Sequence, residues 1–165
     1  MSTSTTGLGV PTRRALPRLA GLCLATILGL LLAVNPTAAP HADAAVSLVT
    51  TTRAVKVAAA QKGVPYRYGG TSPRTGFDCS GLTMYAYARA GKHIPRTALQ
   101  QYRAAARIAP RSARPGDLVF FHRGNSIYHV AIYAGGGLIW HAPKPGKRVA
   151  EVRLWTSAVS YGRVV

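Results

Sequence analysis

Cys79 is the residue best placed for chemistry, because of the sequence on either side of it. A loop rich in Gly and Pro, 69–77, leads into Asp78, and a helical pattern begins at Cys79. We therefore expect the thiol in the first turn of a helix, where unpaired backbone N–H groups and the helix dipole favour negative charge. Such positions lower the pKa of a cysteine from about 8.5 toward neutrality, and the thiolate is the nucleophilic form. The sequence thus predicts a nucleophile with a lowered pKa.

A cysteine nucleophile requires a base, which is usually a histidine oriented by a third polar group. His129 and His141 lie in two strand-like apolar segments that are joined by the turn Gly135–Gly137. If that turn holds three loop residues, Ala131 faces His141, and both histidines share one face of the paired strands. A two-residue turn would place them on opposite faces.

From this parity we predict His129 as the base and His141 as the group that fixes its tautomer and stabilises the imidazolium. Small Ala131 would leave room on that face for the helix that carries Cys79. Taken singly, each of these residues is also compatible with a structural role, as a packed or surface histidine or an inert core cysteine. The other two histidines after Cys79 are expected to be solvent-exposed; they are His93 and His122.

Helical and strand-like periodicity indicates the elements that must position these groups. The predicted helices cover 51–61, 79–90 and 97–107, the last two with the N-caps Asp78 and Thr97. The predicted strands cover 118–121, 129–133 and 138–142, with two more near 148–154 and 161–165. Helices followed by antiparallel strands favour an α+β fold, with the helices packed on one face of a sheet of about five to six strands.

The first 44 residues have the features of a secretory signal peptide. A basic segment, 13–18, precedes an apolar run over 19–34, and Ala42-Asp43-Ala44 offers a cleavage site. We expect cleavage near Ala44 and a single mature domain, 45–165, with no stable membrane span; the alternative is an uncleaved N-terminal anchor. Cleavage would also remove Cys23 and leave Cys79 as the one cysteine.

The mature chain is strongly basic. From residue 45 onward, 18 Lys and Arg residues face three acidic residues, a net charge of +15. Such a protein is attracted to polyanions, and outside the cytoplasm these are anionic wall polymers rather than nucleic acid. So few acids exclude a paired-carboxylate glycosidase and form no convincing metal cage with the histidines. We expect a secreted, wall-associated monomer that needs no metal or cofactor.

Five sequence blocks resemble one known family. They are Pro65-Tyr66-x-Tyr68-Gly69-Gly70, Phe77-Asp78-Cys79-Ser80-Gly81-Leu82, Pro95-Arg96-Thr97, Pro115-Gly116-Asp117-Leu118-Val119-Phe120-Phe121 and His129-Val130-x-Ile132-Tyr133. In this order they resemble the NlpC-type cell-wall cysteine endopeptidases, the family of new lipoprotein C and the sixty-kilodalton extracellular protein. The resemblance implies a papain-like α+β fold and hydrolysis of peptidoglycan stem peptides, typically between D-glutamate and the following diamino acid.

The resemblance also implies roles for particular residues. Cys79 would be the nucleophile, His129 the base and His141 the third member of the triad. Tyr66 would lie at the site and donate to the oxyanion. Asp78 and Ser80 would help to bind the stem peptide.

Two other functions remain open at this point. The same triad could serve an amidase that cuts between muramic acid and L-alanine. A protein of another class, a cationic wall-binding or membrane-perturbing protein, could act through its charge alone.

Overall fold

The computed structural model describes residues 39–165, in which three α-helices accompany a six-stranded antiparallel sheet. The elements are α1 (Ala39–Ala59), β1 (Thr71–Ser72), β2 (Gly76–Phe77), α2 (Cys79–Arg89), α3 (Ala98–Ala104), β3 (Ala106–Ile108), a 3-10 turn (Pro110–Ser112), β4 (Leu118–Arg123), β5 (Ser126–Gly135), β6 (Leu138–His141), β7 (Ala150–Arg153) and β8 (Val159–Arg163). Strands β1 and β2 pair with each other, and the large sheet has the order β3-β8-β4-β5-β6-β7. The predicted α+β class is confirmed.

The helices pack on one face of the sheet. The main core joins α1 and α2 to inward-facing sheet residues; its members include Ala54, Ala58, Leu82, Ala86, Tyr87, Leu118, Phe120, Val130, Ile132 and Trp140. The opposite face carries a second cluster, made of Val119, Phe121, Ala131, Ile139 and Tyr161. Neighbouring residues of β4, β5 and β6 thus alternate between the two clusters, as side chains of a strand must. The predicted parity of these strands is confirmed.

The turn between β5 and β6 gives the predicted strand register, but its length differs from the predicted one. Tyr133 pairs with Ile139, as expected, but Gly135 pairs with Leu138, so the register shifts between these two pairs. The expected three-residue loop is wrong: the turn proper is 136–137, and both of its glycines have positive φ, 60° and 75°. A bulge adds one residue to β5 and so restores the parity that a two-residue turn alone would reverse.

The third helix is shorter than predicted. Helix α3 begins after the predicted N-cap Thr97 but ends at Ala104, and Ala105 is extended with ψ 141°. The next three residues form β3, which pairs with β8 and covers what would otherwise be an open sheet edge. Strand pairing therefore overrides the local helical pattern over 105–107.

Strand β8 lies inside the sheet although it is the latest strand in the described sequence. It pairs with β3 on one side and with β4 on the other. Arg163 donates from Nε and Nη2 to the buried carboxylate of Asp117 at 2.9 and 2.8 Å, which joins the end of β8 to the start of β4. Asp117 also accepts from the Arg114 N–H at 2.7 Å, which closes the turn that leads into β4.

Helix α1 spans Ala39–Ala59, so it starts before the predicted first residue, 51, and ends slightly before the predicted last residue, 61. The predicted signal peptide, 1–44, lies almost wholly outside the described residues, so its removal and the 45–165 domain boundary stay predictions. No helix within 39–165 is both long and apolar enough to cross a membrane.

Candidate active site

Asp78 fixes the start of the helix that carries Cys79. Its backbone is extended (φ −90°, ψ 177°), and its Oδ1 accepts from the Gly81 N–H at 2.7 Å, so it is the predicted N-cap. Its Oδ2 accepts from the Gly69 N–H at 2.9 Å and thereby holds the preceding loop. A side chain at position 81 would not fit, because its Cβ would lie 2.0 Å from the carbonyl oxygen of Gly70. Cys79 is therefore presented at the first helical position, as predicted.

Arg96 completes this arrangement. Its Nη2 lies 2.6 Å from Asp78 Oδ2, and its Nη1 lies 3.0 Å from Asp78 Oδ1 and 2.9 Å from Ser80 Oγ. Burial acts to raise the pKa of Asp78, but the hydrogen bonds from Arg96 and from the Gly81 N–H outweigh burial and lower that pKa. Asp78 is therefore ionised at neutral pH and, with Ser80, holds the guanidinium beside the site.

The thiol of Cys79 is half-buried between the start of α2 and strand β5. Burial raises the pKa of Cys79, and the Asp78 carboxylate raises it further; hydrogen bonds from the backbone N–H groups of Val130, Ser80 and Cys79 lower it by less. The net pKa is raised, so the predicted lowering by the helix start is wrong. The helix amides are present, but desolvation and the N-cap charge outweigh them.

His129 and His141 form a hydrogen-bonded pair. His129 Nε2 lies 3.1 Å from His141 Nδ1, and both residues are buried. Burial, followed by the proximity of His141, lowers the pKa of His129 to about 3; burial lowers the pKa of His141 to about 4. Both imidazoles are therefore neutral near pH 7. With Nε2 occupied by its partner, Nδ1 is the nitrogen of His129 that remains to accept a proton.

The helix that carries Cys79 packs on the face of the sheet opposite to the one predicted. The core around α2 contains Val130, whereas Ala131 belongs to the opposite cluster together with Phe121. Cys79 packs against the helix-side core and meets β5 at the Val130 N–H, next to His129. The predicted approach of the helix over Ala131 is therefore wrong, although His129 and His141 do share a face.

Aromatic rings surround the histidine pair. The ring of Phe121 lies 5.2 Å from that of His129, and Trp155 stacks on Phe121 at 4.6 Å with 17° between the planes. Trp155 also lies 5.3 Å from His141 and 6.3 Å from His129, and it is 52% exposed. One side of the indole thus shields both imidazoles from water, and the remainder is available at the surface.

Tyr66 adjoins the start of α2 from the other direction. Its N–H donates to the carbonyl of Lys147 at 2.8 Å, and its backbone bridges to Phe77. Burial, then the nearby Cys79 and Asp78, raises the pKa of Tyr66, so its hydroxyl keeps its proton and can donate at neutral pH. In the described part of the chain, no three His, Cys, Asp or Glu side chains converge in a way that could hold a metal ion.

A profile of the NlpC/P60 family matches residues 63–162, which include every residue of this site. The chain belongs to the NlpC/P60 family. It is 40% identical over 116 residues to the bifunctional muramidase/DL-endopeptidase CwlT of Bacillus subtilis, covering 67% of this chain and 35% of CwlT. It is 50% identical over 95 residues to the murein DD-endopeptidase MepH of Escherichia coli, covering 54% of this chain and 35% of MepH.

A solved structure of the family has the same fold. The peptidoglycan hydrolase RipB of Mycobacterium tuberculosis matches with a TM-score of 0.66 and 32% identity, over 73% of this chain and 67% of RipB. The predicted papain-like NlpC/P60 architecture is thus confirmed. The chain spans about a third of the length of CwlT and of MepH.

This NlpC/P60 chain brings the predicted site residues together in two groups. Asp78, Cys79 and Ser80 lie at the start of α2, with Tyr66 nearby, and the histidine pair lies on β5 and β6. The catalytic and binding roles of these residues stay predictions.

The other histidines lie elsewhere. His93 is exposed, as predicted, whereas His122 is half-buried, with Nε2 2.9 Å from Ser160 Oγ and its ring against Tyr102. The expectation of an exposed His122 is therefore wrong, because β8 and α3 cover it.

Two residues of the site did not emerge from sequence reasoning. Arg96 stood within a recognised block, directly before the N-cap Thr97, and a charged residue at a helix start was a usable signal. Trp155 follows β7 in a segment without a motif, and only its tertiary contacts reveal it.

Proposed function

We propose that this NlpC/P60 chain is a secreted peptidoglycan endopeptidase that cleaves stem peptides at the D-γ-glutamyl–diamino acid bond. The observation that carries the proposal is a half-buried thiol at a helix start, in contact with the strand that bears a buried pair of neutral histidines. The names of CwlT and RipB, a DL-endopeptidase and a peptidoglycan hydrolase, support this substrate class.

Cys79 and His129 are both neutral when acylation begins. Because the pKa of Cys79 is raised and that of His129 is lowered to about 3, the pair is not a preformed thiolate and imidazolium. His129 Nδ1 accepts the thiol proton as the sulfur attacks the scissile carbonyl carbon, and the carbonyl π electrons move onto oxygen. His141 then stabilises the imidazolium through the 3.1 Å hydrogen bond.

Backbone N–H groups at the start of α2, together with the Tyr66 hydroxyl, donate to the oxyanion. Collapse of this tetrahedral intermediate breaks the C–N bond, and His129 gives its proton to the leaving amine. A water molecule, deprotonated by His129, then attacks the thioester. Collapse of the resulting tetrahedral intermediate releases the D-glutamyl carboxylate, and the proton held by His129 restores the thiol.

Asp78 and Ser80 bind the stem peptide chiefly by holding Arg96. Both are buried, and the Asp78 carboxylate is already shared by Arg96 and two backbone N–H groups. The side chain of Arg96 is 35% exposed, so it presents N–H donors and a positive charge at the surface of the site. A carboxylate or carbonyl group of the peptide would be its ligand.

The mature chain also binds anionic wall polymers through its surface charge. The net charge of +15 from residue 45 onward supports this attachment, which needs no specific site. It brings the enzyme to its substrate and is expected to weaken at high salt, because exposed charges are screened.

Digestion of purified peptidoglycan, followed by mass spectrometry of the fragments, tests the proposal. The wild-type protein should release fragments with a new amino terminus on the diamino acid, and Cys79→Ala should bind the wall without releasing them. A new L-alanine amino terminus would indicate the amidase instead. Equal lysis by Cys79→Ala and wild type would indicate that the positive charge of the protein alone causes lysis, and it would refute the enzyme proposal.

A further inference from the structure

Gln101 of α3 is a buried polar residue whose amide is hydrogen-bonded at both ends. Only 1% of its surface is exposed. Its Nε2 donates to the carbonyl of Ser80 at 3.0 Å and to that of Pro95 at 2.8 Å, and its Oε1 accepts from Thr83 Oγ1 at 2.7 Å. Because the two carbonyls can only accept, the NH₂ end of the amide must face them. Gln101 thus ties α3 to the first turn of α2 and to the residue before Arg96.

The loop that carries Arg96 depends on these side-chain hydrogen bonds. In the described part of the chain, residues 93–96 take part in no backbone–backbone hydrogen bond. The Gln101 amide holds the Pro95 carbonyl, directly before Arg96. The guanidinium contacts Ser80 Oγ at 2.9 Å, while the carbonyl of the same serine accepts from Gln101. Arg96 and Gln101 therefore bind the start of α2 at one residue, and the position of the guanidinium depends on Gln101.

Arg96 is also the cation that faces Cys79. The charged and titratable groups around the thiol are Asp78 at the N-cap, Tyr66 before β2, His129 on β5 and Arg96 before α3. Burial, and then the Asp78 carboxylate, raises the pKa of Cys79. Hydrogen bonding to Asp78, followed by the charges of Asp78 and Cys79, raises the pKa of Arg96. Because this attraction is mutual, the guanidinium offsets part of the carboxylate charge and favours the thiolate.

We propose that Gln101 is a positioning residue for the nucleophile: by holding the Pro95 carbonyl against the start of α2, it keeps the Arg96 guanidinium where it stabilises negative charge on the Cys79 sulfur. Because Gln101 is buried and its amide already has three hydrogen-bond partners, it acts through Arg96 and not on the substrate. The inference rests on one part of the proposed function, that Cys79 is the nucleophile, and not on the bond that is cleaved.

Alkylation of Cys79 by iodoacetamide, followed from about pH 6 to about pH 10, tests this role without a substrate. Peptide mass spectrometry of the full chain reports Cys79 separately from Cys23. Arg96→Gln should move the pH midpoint of the alkylation rate upward by about 1 unit, as expected when a nearby opposite charge is removed. Gln101→Met keeps a long unbranched side chain without the hydrogen bonds, and it should move the midpoint upward by about half as much. The kcat/KM for a stem peptide should decrease in both variants.

Gln100→Met is the matched control. Gln100 is the neighbouring glutamine, but it is exposed, and its Oε1 accepts from the N–H and the hydroxyl of Thr97 in the capping box. The substitution should lower the Tm, because the capping box is lost, and leave the midpoint of Cys79 alkylation at the wild-type value. An equal shift in Gln100→Met and Gln101→Met would overturn the proposal, since destabilisation of α3 would then explain both. A lower Tm with an unshifted midpoint in Gln101→Met would overturn it as well.

Two further variants test whether Gln101 acts through Arg96. Arg96→Gln/Gln101→Met should have the midpoint of Arg96→Gln alone, and shifts that add would overturn the proposal. Thr83→Val removes only the hydroxyl that donates to Gln101, and it provides the test if Gln101→Met does not fold. It should raise the midpoint by a smaller amount, and a wild-type midpoint would overturn the proposal. Failure of wild type to cleave stem peptides, with these shifts present, would instead refute the proposed function.

Discussion

The buried histidine pair should make folding stability depend steeply on pH between about 7 and 5. In the folded chain the pKa of His129 is about 3 and that of His141 is about 4, whereas unfolded histidine titrates near 6.5. Below about pH 6.5 the unfolded chain therefore binds protons that the folded chain does not. Stability must fall as the pH decreases through this window, because the unfolded state is the one that is stabilised.

The magnitude follows from the two pKa differences. From pH 7 to pH 5, the protonation of one unfolded histidine, with its native counterpart still neutral, costs about 2 kcal/mol of unfolding free energy. The two histidines together give a loss of about 3 to 4 kcal/mol, because both stay neutral in the folded chain over this window while both are protonated in the unfolded chain. This is a large part of the stability of a small domain, typically 5–15 kcal/mol.

Urea unfolding, monitored by tryptophan fluorescence at pH 7, 6 and 5, measures this loss. His129→Gln/His141→Gln should remove most of the pH dependence, even if it is less stable at pH 7. His93→Gln, which changes an exposed histidine, should retain it. Because the hydrogen bonds from Arg96 and the Gly81 N–H outweigh burial and lower the pKa of Asp78, its titration falls outside the window. An unchanged slope in the double variant would refute the burial of neutral imidazoles.

Three substitutions test how the site is held. Asp78→Ala removes the N-cap and leaves Arg96 unpaired, so the free energy of unfolding should decrease by about 3 kcal/mol; a loss below 1 kcal/mol in thermal unfolding would contradict this role. Gly81→Ala would place Cβ 2.0 Å from the Gly70 carbonyl oxygen, so stability should decrease by about 1–3 kcal/mol; circular dichroism melting at wild-type Tm would contradict the close packing. Tyr66→Phe should reduce kcat about 10²-fold on a stem peptide with KM little changed; a rise in KM at constant kcat would show that the hydroxyl binds substrate instead.

Local sequence rules predicted the parts of the site that depend on short-range geometry. The N-cap Asp78 and the helix start at Cys79 follow from hydrogen bonding within four residues. The shared face of His129 and His141 follows from strand alternation, although the turn reached the same parity through a bulge. Both features were accessible because they depend on neighbours in sequence or on one tight turn.

The features that sequence reasoning did not predict depend on tertiary packing. The pKa of Cys79 is set by how far the folded chain buries the thiol, which a helix-start argument does not include. The end of α3 is set by pairing with β8, about 55 residues later, and the indole of Trp155 reaches Phe121 and the histidines only once the sheet has formed. Each of these depends on partners that are remote in sequence.

The central position of β8 has a consequence for when activity can arise. Because β3 and β4 each pair with this strand, a chain that has been synthesised only as far as residue 158 lacks an interior strand of the sheet, not an edge strand. Such a nascent or truncated polypeptide would already contain the thiol and both imidazoles, yet it would lack the platform that aligns them. The site can therefore form only after β8 has been added to the sheet, and removal of residues 159–165 should abolish the fold rather than shorten the sheet by one strand.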